Sequence, residues 1–173
     1  MRWARVLPAG VLAVSLAGWG WFASEGARSG WWAFGEHVAA GPDDEGWASL
    51  DTVRVRLAGV ETVAEVDGER PPAGFTYLAL EFEVDAGSNE ALRNCDVAVR
   101  DAQGRLFLAG EEVPSGDPYT SWLECGSTDV AEDPVPTEQS LLVLVPADAE
   151  PAAVRLTAMA FPPAEFIELP LGS

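Results

Sequence analysis

Strict two-residue alternation constrains this chain more than any other feature. In Thr76-Tyr77-Leu78-Ala79-Leu80-Glu81-Phe82-Glu83-Val84, the residues Leu78, Leu80, Phe82 and Val84 fall on one face of an extended chain. Successive side chains of a strand point to opposite sides, so this spacing specifies one face to bury and one to wet. Thr52-Val53-Arg54-Val55-Arg56-Leu57 repeats the pattern. Asp96 to Arg100 and Arg105 to Leu108 flank Asp101-Ala102-Gln103-Gly104, a hairpin turn with glycine at its end. Gln139 to Val145 (QSLLVLV), apolar from Leu141 on, reads as a strand buried on both faces or nearly so, and Pro146 stops it. Ala153 to Ala158 and Glu165 to Leu169 add two strands, and Val60 to Val66 a weaker one.

No amphipathic helical period follows residue 50. About seven or eight strands, separated by Gly, Pro and Asp turns, predict an all-β domain over residues 50–173. Each sheet has an apolar face to hide, so two antiparallel sheets packed face to face are the natural solution.

The N-terminus obeys different rules. Arg2 and Arg5 precede an uncharged run of 19 residues from Val6 to Ser24, and Glu25 follows it. At about 1.5 Å rise per residue, such a run as one helix matches the hydrocarbon thickness of a bilayer. Trp19, Trp21 and Phe22 fall at its far end, where aromatic rings settle at the lipid–water boundary. Residues 1–24 are therefore expected to be a transmembrane anchor crossing the bilayer through 6–24. The cations place its N-terminus in the cytoplasm and everything after it outside. A cleaved signal peptide is the main alternative, and a buried core helix the other. Ser15-Leu16-Ala17 offers small residues for cleavage but leaves a very short leader, and Trp21-Phe22-Ala23 is too bulky. Leu16-Ala17-Gly18 is followed by Trp19 rather than Cys, which excludes lipidation there. Residues 25–49, with Trp31, Trp32, Phe34 and Trp47 among Gly, Ala and acids, are expected to be a spacer, and Gly41-Pro42-Asp43-Asp44-Glu45-Gly46 an acidic linker.

Composition removes whole classes of chemistry. All ten cations are Arg, against 28 Asp and Glu, for a net charge of −18. Without Lys there is no Schiff base, no P-loop lysine and no Ser–Lys pair. His37, the single His, lies in the spacer and rules out a His-rich metal site. The negative charge argues against nucleic acid, whose affinity comes from neutralised phosphates. Nothing calls for a cofactor.

Cys95 and Cys125 are the only thiols, and both fall in the segment expected outside the cytoplasm. An even count in an oxidising compartment predicts a disulfide. It would close a loop holding Glu111, Glu112, Pro114, Gly116, Asp117, Pro118, Tyr119 and Trp122. Exposed aromatics on a loop carried by a rigid sandwich are a common way to bind partners, so Glu111, Glu112, Tyr119 and Trp122 form the candidate partner-binding loop. Packing of Trp122 over the disulfide as core is the other reading.

The acids raise two further possibilities. Glu81 with Glu83, Glu111 with Glu112, or Glu132 with Asp133 are carboxylate pairs of the kind glycosidases use. A chain with 28 acids yields such pairs by chance. Asp129 to Asp133 and Asp43 to Glu45 lack the spacing of a calcium-binding EF-hand loop, so no metal site is assigned.

A strand pair built on FTYLALEFEV, a DAQG hairpin turn and the run VPADAEPAAVRL, behind a membrane-spanning leader, resemble the telokin-like, immunoglobulin-type domains of unknown function in bacterial cell envelopes. The resemblance covers about residues 50–170. It implies an immunoglobulin-like sandwich displayed outside the membrane, and no activity. The expected function is a single-pass, membrane-anchored binding or accessory module that contacts another envelope protein and catalyses nothing. A carboxylate-dependent envelope hydrolase and a structural protein without a ligand are the alternatives.

Overall fold

The structure is a computed structural model that describes residues 14–22, 24–26, 35–114 and 116–172. Among the described residues eleven strands form two sheets. In chain order they are β1 (Val38–Ala40), β2 (Ala48–Leu50), β3 (Val53–Val63), β4 (Phe75–Ala86), β5 (Asn94–Asp101), β6 (Leu106–Leu108), β7 (Tyr119–Thr120), β8 (Leu123–Glu124), β9 (Glu138–Pro146), β10 (Pro151–Thr157) and β11 (Glu165–Pro170). The first sheet runs β1-β11-β10-β5-β6, with β8 also on β5, and the second runs β2-β3-β4-β9-β7. Most neighbours are antiparallel. β1 on β11 and β7 on β9 are parallel, so the purely antiparallel expectation fails at two edges. Neither pair is joined by a hairpin, so no tight turn dictates an antiparallel direction: β1 and β11 stand at opposite ends of the strand order along the chain, and β7 reaches β9 after β6 of the other sheet.

The alternation in the sequence sets the interior. Leu80, Phe82, Leu141, Val143, Val99, Leu156 and Ile167, drawn from both sheets, are at most 1 % exposed and form the main core. The wet face expected for β4 is only half wet. Tyr77 and Ala79, together with Leu142, form a second buried cluster on the outer side of the second sheet. Val66 covers it from the β3–β4 connection, and Val113 and Tyr119 from the loop after β6. The two-sided burial expected for β9 has the same origin.

Two stretches expected as separate strands, 52–57 and 60–66, are largely one strand, β3, bent by a bulge between Leu57 and Gly59. The stretch expected as spacer also carries structure. β1 joins the first sheet and β2 the second. The acidic segment between them is an ordered turn in which the Asp43 carboxylate accepts from the backbone N–H groups of Glu45 and Trp47, each at 2.9 Å. The DAQG hairpin stands as expected. Buried Asp101 accepts from the N–H groups of Gln103 (3.0 Å) and Arg105 (2.8 Å) and from the Arg105 guanidinium (2.6 Å). Gly104 supplies the positive φ of 83°.

Residues 14–22 are helical, and Leu16, Trp19, Trp21 and Phe22 on that segment are exposed. Among the described residues no helix is long and apolar enough to cross a membrane. Residues 6–13 of the expected span, and the Trp31-Trp32 pair, lie outside the described residues.

Candidate functional site: a pocket beside the disulfide

Cys95 at the start of β5 and Cys125 just after β8 form a disulfide with both residues fully buried and Cα atoms 5.9 Å apart. Such a bond brings its sequence neighbours together. On one side stand Arg93 and Asn94, which follow a 3-10 turn (Glu90–Leu92) capped by the Asn89 side chain. Leu92 of that turn is wholly buried and pins it to the core. On the other side stand Trp122, Glu124, Gly126 and Ser127. Asn94 pairs with Glu124 and Cys95 with Leu123 in the β5–β8 ladder, and Cys125 N–H donates to the Arg93 carbonyl at 3.1 Å. Gly126 is needed for close approach: a Cβ there would lie 2.7 Å from the Asn89 carbonyl oxygen.

These two sides enclose a pocket of about 450 Å³, closed off by Asp133, Pro134 and Val135. A buried glutamine fixes that third wall. The Gln139 side chain accepts from Glu124 N–H at 2.8 Å and donates to the carbonyls of Glu124 (2.9 Å) and Pro136 (3.0 Å). Trp122 is 51 % exposed at this pocket. Its carbonyl accepts from the Thr120 hydroxyl at 2.9 Å, which ties the loop to the end of β7.

Charge placement distinguishes the site. Arg54, Arg56, Arg70, Arg100, Arg105 and Arg155 each meet a carboxylate. Among the described residues Arg93 is the arginine without one, although the chain carries a net charge of −18. Ser127 lines the same pocket, is 4 % exposed, and has a buried hydroxyl with no hydrogen-bond partner among the described residues.

The loop residues singled out in the sequence do not converge. Trp122 faces the pocket, which answers the question of core against surface in favour of surface. Tyr119 is half-buried in the second cluster on the outer face of the second sheet. Burial, and then the charges of Glu61 and Glu81, push its hydroxyl above the ordinary tyrosine value. Glu111 and Glu112 are exposed elsewhere on the loop. Sequence reasoning missed Arg93, Asn94 and Ser127. Their signal was adjacency to a cysteine pair, since flanks of bonded cysteines must be neighbours in space.

The carboxylate pairs are dispersed. Glu83 is bound to Arg56 at 2.6 Å, while Glu81 stays exposed. Asp133 lines the pocket and Glu132 is exposed. Asp129 organises its own turn, accepting from Ala131 N–H at its carboxylate and from Glu132 and Asp133 N–H groups at its carbonyl. Among the described residues no three His, Cys, Asp or Glu side chains gather in a metal-sized cluster.

No family model matches this chain, and no curated protein matches it by sequence. Two solved structures resemble it in backbone course. One is a candidate lipoprotein from Staphylococcus aureus subsp. aureus, at 8 % identity and a TM-score of 0.42, covering 74 % of this chain and 89 % of that one. The other is an uncharacterised β-sandwich protein from Clostridium difficile 630, at 11 % identity and a TM-score of 0.38, covering 79 % and 97 %. At these scores and identities neither likeness assigns a fold family or a site to this chain.

Proposed function

We propose that this protein is a non-catalytic binding module of the cell envelope, an immunoglobulin-type sandwich held at the membrane by residues 6–24 and presenting the Trp122 pocket to an envelope partner. One observation carries the reading: a large aromatic side chain, 51 % exposed, stands on a loop that a buried disulfide and a buried glutamine hold rigid. A half-exposed Trp on a fixed frame offers apolar contact area at little cost in conformational entropy, which is how binding surfaces are built. The buried disulfide supports an oxidising compartment. Exposed Leu16, Trp19 and Phe22 on the helical segment 14–22 support contact with lipid. The scattering of the carboxylate pairs favours binding over hydrolysis.

Site-directed photocrosslinking in intact cells tests this. A photoreactive aromatic residue at position 122, which keeps a ring there, is expected to give a discrete adduct, and the same residue at position 60, an exposed position on β3, is expected to give none. Equal labelling from both positions, or none from 122, contradicts the proposal.

A further inference from the structure

We infer that the Trp122 pocket takes a neutral saccharide, a hexose unit of a glycan chain stacked on the Trp122 ring. The inference rests on reading this loop end as a binding surface and names what binds there. A pyranose combines one face of C–H groups with a rim of hydroxyls, so it asks for a flat aromatic platform surrounded by polar groups. The pocket has that composition. Trp122 stands on one side, and Arg93, Asn94, Glu124 and Asp133 around it each end in a planar group able to make paired hydrogen bonds. Neighbouring sugar hydroxyls both donate and accept, and so match the donors of Arg93 and Asn94 and the acceptors of Glu124 and Asp133.

Charge narrows the class. A strongly anionic ligand meets Glu124, Asp133 and a chain of net charge −18, and a strongly cationic one meets Arg93. A neutral polyhydroxyl ligand meets neither penalty. Arg93 has no carboxylate partner among the described residues, so its donors are open to a ligand. The volume of about 450 Å³ lies within the roughly 300–1,000 Å³ of small-ligand sites. The Cys95–Cys125 bond and the Gln139 clamp fix the walls beforehand, which lowers the entropic cost of binding a ligand this polar.

The test is calorimetric titration of the full chain in phospholipid nanodiscs with cellotetraose, maltotetraose and tetra-N-acetylchitotetraose. At least one is expected to bind saturably with a dissociation constant near or below about 1 mM. Trp122→Ala should weaken it about tenfold or more, Trp122→Phe by less than about threefold, and Arg93→Gln by about threefold to tenfold. Unchanged circular dichroism and absence of free thiols establish that each variant is folded. No saturable binding of any of the three sugars by about 10 mM, binding indifferent to Trp122→Ala, or binding of a tetraglutamate peptide in their place overturns the inference. If position 122 still photocrosslinks a partner while no sugar binds, the saccharide is lost and the binding module stands; if neither occurs, both are lost.

Discussion

Asp101 shows how much of a hairpin one side chain holds. Its carboxylate is buried and takes three hydrogen bonds from the turn it precedes. Burial pushes this carboxyl up, but the side-chain and backbone bonds from Arg105, its charge and the Gln103 N–H outweigh that and leave the pKa below the ordinary value. Glu168 behaves alike. Burial raises it, and bidentate Arg100 at 3.0 and 3.1 Å, with Arg155 at 3.4 Å, brings it down overall. A depressed folded-state pKa contributes stability that is complete above the unfolded value and is lost as pH falls through the folded one. Urea midpoints are therefore expected to be flat from neutral pH down to about 5 and to fall below about 4. The Asp101→Asn, Glu168→Gln double variant should show a shallower fall, and an identical acid profile would contradict it. Phe82, 1 % exposed at the centre of the core, gives a second residue-scale prediction: Phe82→Ala should cost roughly 3–5 kcal/mol in urea unfolding. The period-two pattern made Phe82 legible. Trp122 was not, because a single aromatic residue in an irregular loop carries no periodicity to say which way it faces.

At the scale of elements, sequence reads best where a strand is long. β4 and β9, with 12 and 9 residues, announce themselves by alternation and by the apolar run Leu141 to Val145. β1 and β2, with three residues each, are too short to show a period, and they exist because longer neighbours offer open edges. Among the described residues β2 covers only Val53–Val55 of β3. The rest of that edge carries the bulge and Glu61, devices that discourage pairing with another chain. The crossing after β6 is the tightest joint. Ala109 N–H donates to Val97 in the first sheet and Gly110 N–H to Leu142 in the second, at 2.8 and 3.0 Å. Gly110 has a φ of 75°, and a Cβ there would lie 2.5 Å from the Ser121 carbonyl oxygen. Gly104 has a similar φ of 83° but open space around it. Gly104→Ala should therefore cost about 1–2 kcal/mol and Gly110→Ala about 1–3 kcal/mol more. Equal losses in urea unfolding would mean that the crossing is looser than drawn.

For the molecule as a whole, the disulfide joins fold to site. It closes a loop with a sequence separation of 30, worth roughly 3–4 kcal/mol by chain entropy. Exported protein should show almost no free thiol without reductant, and reduction should lower the urea midpoint. The two-sheet architecture was readable in the sequence because its long strands carry the pattern. The pocket was not, because its walls come from segments far apart in sequence that the cysteine pair, the two-residue β5–β8 ladder and the Gln139 clamp bring together. The proposed function places this sandwich outside the membrane at the end of an N-terminal anchor. Protease treatment of intact cells expressing the full chain with a C-terminal epitope, followed by fractionation, tests it most directly. A full-mass, membrane-bound protein whose epitope is removed from outside is expected. An epitope protected until the cells are lysed, or a soluble product lacking about the first twenty residues, would contradict it.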